Sequence, residues 1–180
     1  MNETLENIYC VDDSFHGCNI DQKNIDKLNK LKVLVCHGNN KIYDVNHLSE
    51  TLEELHCGNF NMQCSSIDQR GLSKLKNLKK LVCTGNGSIN NANHLAETLT
   101  FLDCSSHSGI DDIGIYKLHN LKHLTCIENK NIKVLRTLED IKIMEKYMTN
   151  SPEIEYGNLS PSYKKLINSI TFFNVDTNFP

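Results

Sequence analysis

Two stretches of the chain decide its fold: LKVLVCHGN at residues 31–39 and LKKLVCTGN at residues 78–86. They begin 47 residues apart and repeat the same two leucines, a valine, a cysteine and a Gly-Asn pair. A second pair, NHLSETLEELHC from residue 46 and NHLAETLTFLDC from residue 93, has the same offset. A fixed interval of this size is typical of proteins built from stacked structural repeats.

The shared core of these stretches is the pattern LxxLxC, with isoleucine allowed for leucine. Its successive cysteines are 26, 21, 26, 21 and 22 residues apart, so long and short repeats alternate. A seventh, degenerate copy at residues 138–143 carries isoleucine in the cysteine position. The six regular cysteines are Cys10, Cys36, Cys57, Cys83, Cys104 and Cys126.

Each LxxLxC segment predicts one short parallel strand, because alternation sends the second leucine and the cysteine to one face. The segments between the strands must return the chain to the start of the next strand. In the 26-residue repeats, residues 20–31 and 67–78 have helical spacing, with Ile67, Leu72 and Leu75 predicted to be buried. In the 21-residue repeats we expect only a turn of 3₁₀-helix, around His47-Leu48 and His94-Leu95.

The pattern resembles that of the leucine-rich repeat family, LxxLxLxxN/CxL, with cysteine in the third leucine position. The resemblance covers residues 5–143 and implies an α/β fold. The implied fold is a right-handed solenoid with a short parallel sheet on the concave face and alternating helical and 3₁₀ segments on the convex face. The family's asparagine position is occupied by asparagine only in alternate repeats, so we expect an interrupted ladder of side-chain to backbone hydrogen bonds. This position reads Asp13, Asn39, Phe60, Asn86, His107 and Asn129.

The cysteine-containing repeats are also similar to those of repeat proteins from giant DNA viruses of amoebae. We divide the chain into a solenoid of about seven coils at residues 1–143 and a C-terminal cap at residues 144–180. A solenoid needs a cap over its last coil, and Leu166, Ile167 and Ile170 are predicted to be buried in it. At the other end only four residues precede the first leucine, which exposes the edge of the first strand.

Composition argues against several classes of partner. A net charge of −3 and a pI near 6.2 give no reason to expect nucleic acid. No apolar run approaches the roughly 20 residues that span a bilayer, so no membrane partner is expected. The first residues lack the features of a secretory signal. We therefore expect a cytoplasmic protein, in the host cytoplasm if it is viral, with reduced cysteines.

The cysteine column predicts small buried hydrophobic groups and not reactive chemistry. Thiols spaced one per strand do not converge on a point, as four zinc ligands must. Disulfides between adjacent strands would require backbone adjustment, and burial makes a thiol unreactive. Cys18 and Cys64 lie outside the column and are predicted to belong to the convex-side core. We expect no metal and no cofactor.

The residues that flank the buried positions should face solvent. One column alternates in charge through Glu6, Lys32, Glu53 and Lys79, which predicts weak cross-strand ion pairs. Apolar side chains at other exposed positions have two interpretations: a binding surface, or the general preference of strands for such residues. The predicted partner-binding residues are Tyr9, Val33, Val35, His56, Val82, Phe101, Asp103 and Thr125.

These features favour a non-catalytic interaction module that binds a protein partner through the concave sheet. His56, Asp103 and His123 share that face, but no serine or cysteine nucleophile aligns with them, so we predict no enzyme activity. The alternative is a self-assembling structural protein, or a homodimer, that uses the exposed edge of the first strand.

Overall fold

Each regular copy of LxxLxC forms one three-residue strand in the computed structural model, which describes residues 4–11, 18–59, 67–132 and 171–172. Neighbouring strands are all parallel, and their order in the sheet is their order along the chain. A further strand, β7, is formed by Thr171–Phe172. The six repeat strands are β1 Asn7–Tyr9, β2 Val33–Val35, β3 Glu54–His56, β4 Lys80–Val82, β5 Phe101–Asp103 and β6 His123–Thr125.

The register of the sheet places equivalent residues of all six repeats side by side. The central leucine or isoleucine of each strand pairs directly with that of the next, without any offset. These residues are Ile8, Leu34, Leu55, Leu81, Leu102 and Leu124, and all are buried. The predicted α/β fold with a short parallel sheet is thus confirmed, in a solenoid-like arrangement.

The return segments alternate between two forms. Three single-turn helices follow β1, β3 and β5: α1 Gln22–Ile25, α2 Gln69–Leu72 and α3 Asp112–Ile115. Each begins after an aspartate whose carboxylate accepts a backbone N–H of the first turn, as N-caps do. After β2 and β4 the chain makes only a 3₁₀ turn, and we call Asn46–Leu48 and Asn93–Leu95 the NHL turns.

The predicted burial and local structure of these return segments are confirmed. Ile67, Leu72 and Leu75 are at most 1% exposed. Repeat length, however, does not determine which form appears, because the 22-residue repeat contains α3. Ile20, Ile67 and Ile110 each precede the next column cysteine by 16 residues, so the helical part has a constant length. The additional residues of the 26-residue repeats lie before it.

The strand that pairs with β6 at the C-terminal edge of the described sheet comes from a distant segment of the chain. Thr171–Phe172 pairs with His123–Leu124, in the position beside β6 that the seventh repeat was expected to occupy. A segment assigned to the cap therefore extends the sheet. Residues 138–143 and the predicted cap residues Leu166, Ile167 and Ile170 lie outside the described residues.

Three buried asparagines connect the ends of strands to the preceding helical repeat. Asn86 Nδ2 donates to the carbonyls of Cys57 and Ile67, and its Oδ1 accepts the N–H of Ser88. Asn39 and Asn129 make the equivalent bonds to a carbonyl 19 residues earlier and an N–H two residues later. At the same position in the short repeat, His107 is exposed, so the ladder is interrupted there as predicted.

The NHL turns fasten each 3₁₀ repeat to both of its helical neighbours. Asn46 Nδ2 donates to the carbonyl of Arg70, and its Oδ1 accepts the N–H of Lys74 in the following repeat. His47 Nε2 lies 3.1 Å from the carbonyl oxygen of Ile25 in the preceding repeat. Asn93 and His94 make the same contacts 47 residues later. The motif is repeated because the same junction is repeated.

A glycine stands where a helix touches the backbone of the preceding repeat. A Cβ on Gly71 would overlap the carbonyl oxygen of Tyr43, and one on Gly114 would overlap that of Asn90. The carbonyl of Gly71 also accepts the N–H of Val45 at 2.8 Å, which fixes this approach. No helix in the described ranges is long and apolar enough to cross a membrane.

Replacing Gly71 with alanine should destabilise the protein by about 2 kcal/mol or more, because the backbone of Tyr43 cannot move aside easily. Without this contact, alanine would stabilise the helix relative to glycine. A decrease in stability would therefore show that the new Cβ meets the Tyr43 backbone. The control is Gly87→Ala, where the nearest atom to a new Cβ is the His107 oxygen at 3.5 Å. Urea unfolding monitored by circular dichroism measures both, and equal stability of the two variants would contradict the prediction.

Replacing Asn86 with alanine should lower the free energy of unfolding by about 2–4 kcal/mol, because two carbonyls and one N–H lose their partner. Asn90→Ala is the control, since that side chain is exposed. The same urea titration applies. If Asn86→Ala were as stable as Asn90→Ala, the asparagine would not be needed to connect the repeats.

Candidate functional site

The sheet has one face that does not contact the hydrophobic core, and we call it the open face. It consists of the first and third residues of every repeat strand, which alternate with the buried central leucines. Read from β1 to β6, the first residues are Asn7, Val33, Glu54, Lys80, Phe101 and His123. The third residues are Tyr9, Val35, His56, Val82, Asp103 and Thr125.

All eight predicted partner-binding residues lie on the open face, but their exposure differs. Tyr9 is 72% exposed, whereas Val33, Val35, His56, Phe101, Asp103 and Thr125 are half-buried. The prediction that Val82 is exposed is wrong, since its exposed fraction is only 9%. Val82 lies in register between His56 and Asp103, and the shorter side chain is shielded between two longer ones.

A carboxylate in the middle of the open face joins two neighbouring strands. Glu54 Oε1 accepts a hydrogen bond from Lys80 Nζ at 2.8 Å and also contacts His56 Nε2. Burial alone would raise the pKa of Glu54, but the hydrogen bonds from Lys80 and His56 outweigh it, and the pKa is lowered. Glu54 is therefore a fixed negative charge at neutral pH.

Aromatic contacts continue this network toward β6. The ammonium of Lys80 lies 5.3 Å from the centre of the Phe101 ring, within the range of a cation–π interaction. The Phe101 ring in turn lies 6.0 Å from the ring of His123 on the next strand. Lys80 therefore links a carboxylate on one side to an aromatic ring on the other. Side chains from four adjacent strands hold each other in place.

His37 joins the site from just beyond the end of β2. Its ring meets that of His56 edge to face, with the ring centres 5.4 Å apart. Its Nδ1 accepts the backbone N–H of Gly58 at 3.2 Å. Burial, and then the neighbouring His56, lower the pKa of His37. The sequence prediction did not include His37 in the site, although a histidine directly after a column cysteine was a visible signal.

The outer border of the open face carries the predicted ion pairs. Lys32 Nζ lies 2.9 Å from Glu6 Oε1, and Lys79 Nζ lies 2.7 Å from Glu53 Oε2. All four side chains are at least 38% exposed, so each pair contributes only a few tenths of a kcal/mol. These pairs reinforce the register of the strands.

The cysteine column lies on the core side of the sheet, as predicted. Cys10, Cys36, Cys57, Cys83 and Cys104 are at most 2% exposed, whereas Cys126 is half-buried. Burial raises the pKa of Cys10 and of Cys83 to about 12, and it also raises the pKa values of Cys36, Cys57 and Cys104. Thiols in this state are protonated at neutral pH and are poor nucleophiles.

The two cysteines outside the column were predicted to belong to the core. Cys18 is partly buried and packs against the core next to Cys10, and Cys64 lies outside the described residues. Within the described ranges, no group of three or more histidine, cysteine or acidic side chains is arranged to hold a metal ion. The buried hydroxyl of Ser105 has no hydrogen-bond partner there, so it forms no triad with Asp103 and His56.

A cleft of about 430 Å³ lies on the opposite side of the repeats, between α1 and the first NHL turn. Gln22 lines the cleft, and both polar atoms of its side chain are hydrogen-bonded. Its Nε2 donates to Asp26 and to the carbonyl of Asp44, and its Oε1 accepts two backbone N–H groups. The cleft is lined by Gln22, Asp26, Tyr43, Asp44, Asn46, His47 and Lys74. Its polar groups serve the junction between repeats.

Comparison of the chain with known protein families and with curated proteins finds no match to either. The open face must therefore be interpreted from its own residues.

Thiol labelling tests the state of the cysteines. Ellman's reagent at about pH 8 should react quickly with the partly exposed Cys18 and Cys126, and slowly with the five buried cysteines. Denaturant should release all eight thiols. A Cys18→Ser/Cys126→Ser variant should lose the corresponding fast reaction, and Cys64 is followed separately by peptide mass spectrometry. Fast native labelling of Cys36, Cys57 or Cys104 would contradict the predicted burial.

Proposed function

We propose that this chain is a leucine-rich repeat solenoid that binds a protein partner through the open face of its sheet. The observation that carries the proposal is the fixed array of charged, imidazole and aromatic side chains around Glu54, Lys80 and Phe101. An array that is held in place before binding loses little side-chain freedom when a partner arrives.

Assignment to the leucine-rich repeat class is supported by three features that occur together. Each repeat contributes one short parallel strand, the leucines form an in-register column, and Asn39, Asn86 and Asn129 bond the backbone of the preceding repeat. In the proposed solenoid the coil is right-handed and the open face is concave. A cytoplasmic location, in a host cell if the protein is viral, agrees with the described cysteines, which form no disulfide with one another.

A non-catalytic role is supported by the condition of the candidate nucleophiles. Five of the six column thiols are buried and protonated, and the Ser105 hydroxyl is buried at the end of its strand. Aromatic side chains surrounded by polar groups are typical of protein interfaces. Tyr9 and Phe101 would therefore make the main apolar contacts, with His56, Asp103 and Thr125 around them.

The second candidate function is self-association through β1. Among the described strands, β1 pairs only with β2, and the exposed fractions of Tyr9 and Val11 are 72% and 45%. Leu5 and Ile20 in this repeat are only partly buried, although their counterparts elsewhere are in the core. An unpaired strand edge beside exposed apolar side chains is a template for pairing with a second chain.

Affinity capture with a Val35→Ser/Phe101→Ser variant tests the open face. Both side chains are half-buried in mid-sheet, so capture of the partner from a lysate should fall at least about tenfold while the melting temperature changes by only a few degrees. The matched control is Tyr43→Ser/Ile113→Ser, which removes two apolar side chains that are 57% and 70% exposed elsewhere. The same bound proteins on both variants and the wild type would rule out the open face.

The variant Tyr9→Lys distinguishes self-association from partner binding, because it places a charge on the edge strand β1. In light scattering over a concentration series, this variant should remain monomeric if β1 mediates a dimer, whereas Val35→Ser/Phe101→Ser should still dimerise. A wild-type protein that is monomeric at all concentrations would exclude the second candidate.

A further inference from the structure

We propose that His37 is a pH-sensitive latch beside the open face: its neutral ring accepts a hydrogen bond from Gly58 of the next repeat, and protonation of the ring breaks this bond. The latch would regulate the binding surface proposed above, and in that respect it rests on the proposed function. The release itself is a property of the isolated chain and can be measured without a partner.

The hydrogen bond between the repeats requires a neutral imidazole. Gly58 donates its N–H to His37 Nδ1, so Nδ1 must carry a lone pair and the ring proton must be on Nε2. A protonated ring has N–H groups at both positions and cannot accept this bond. Protonation would therefore turn an attractive contact into one between two donors.

The contact has little freedom to rearrange while it remains closed. A Cβ built on Gly58 would lie 2.7 Å from the Thr84 carbonyl oxygen and 3.0 Å from His37 Nδ1. The carbonyl of Gly58 also accepts the N–H of Gly38 at 3.1 Å, directly beside His37. Cys36 also donates its backbone N–H and its thiol proton to the carbonyl of His56, and among these hydrogen bonds between the ends of β2 and β3 only the one made by the imidazole depends on pH.

The surrounding charges favour release at low pH. The His37 ring faces the titratable His56 on β3, which already contacts Glu54, and the same Glu54 oxygen accepts a hydrogen bond from Lys80 on β4. With both imidazoles protonated, His37 would face a positive ring whose partner carboxylate is already shared with Lys80.

The described surroundings of the pair also include residues of β5 and β1. On β5, Asp103 lies close enough to favour the protonated ring electrostatically, but its carboxylate also accepts the N–H of Ser105. On β1, Tyr9 lies in register with Val35, the third residue of β2. Burial of the His37 ring and repulsion from His56 outweigh the attraction to the Asp103 carboxylate, so the pKa of His37 is lowered.

The direction of the pH effect follows from the buried ring. The pKa of His37 is lowered in the folded protein relative to its ordinary value of 6.5. The stability gained from the neutral ring is therefore present above about pH 6.5 and is lost as the pH falls through the lower folded value. The open face would keep its fixed geometry at neutral pH and lose it in a mildly acidic environment.

Nuclear magnetic resonance of the full chain tests the latch between about pH 5 and pH 8. The Gly58 amide and the His37 ring should titrate with the same midpoint, below 6.5. On protonation the protection of the Gly58 amide against exchange should fall roughly 2- to 12-fold, the range expected for one hydrogen bond. A flat Gly58 titration, or a His37 midpoint at or above 6.5, would overturn the proposal.

Three variants make the assignment specific. His37→Asn places a non-titrating acceptor near the Nδ1 position, so the Gly58 titration should disappear, whereas the exposed His107→Asn should leave it unchanged. In His56→Gln, the His37 midpoint should rise, because a neighbouring positive charge has been removed. Persistence of the Gly58 titration in His37→Asn would assign it to another group. If the open face binds no partner, these titrations are unaffected, so failure of the latch and failure of the proposed function are distinguishable.

Discussion

The described sheet and its core depend on one packing constraint: a repeat can bury its apolar side chains only against the same side chains of its neighbours. A three-residue strand with a single central leucine has no hydrophobic core of its own. Strands about 4.8 Å apart bring equivalent residues into direct contact, so the interior must be repeated at every level. The cysteine is part of this column because a small apolar thiol fits between stacked backbones. Cys36 also donates its thiol proton to the His56 carbonyl at 3.3 Å, which connects two strand ends.

The same constraint creates a problem of hydrogen bonding that the repeated polar residues solve. Strands of three residues leave many backbone groups near their ends without a strand partner, and such groups are costly when buried. An asparagine side chain supplies two N–H donors and an acceptor from one position, which is why Asn86 can satisfy three backbone groups at once. The NHL turns do the same between return segments. In a chain with stacked repeats, the polar motifs therefore recur with the junctions that they serve, in alternate repeats.

The repetition of residues at equivalent positions determines how much of the structure can be predicted from the sequence. Period and alternation predict the strands, the buried cysteines and the pairs Glu6–Lys32 and Glu53–Lys79, because all of these depend on position within a repeat. Exposure on the open face depends also on the length of neighbouring side chains. Val82 is therefore buried, although it occupies a position on the solvent-facing side of the sheet. The helix α3 follows the same Ile-Asp pair, at residues 110–111, that precedes the other two helices at residues 20–21 and 67–68. The interval between cysteines does not predict this helix, because the repeat that contains it is almost as short as the 3₁₀ repeats. The order of strands beyond β6 involves a segment distant in sequence, which no repeat pattern can predict.

The open face is a surface that the stacking constraint leaves free to vary. Its positions are aligned by the sheet as strictly as the core positions, but the residues there change from repeat to repeat: valine on β2, an acid and an imidazole on β3, lysine on β4, phenylalanine on β5. Such variation has no role in packing the interior. It does create cross-strand contacts, because aligned neighbours of different chemistry can pair: Glu54 with Lys80, and Lys80 with Phe101. The scaffold thus places diverse side chains in fixed positions without altering its own core, and this separation of tasks makes the open face the strongest candidate for recognition.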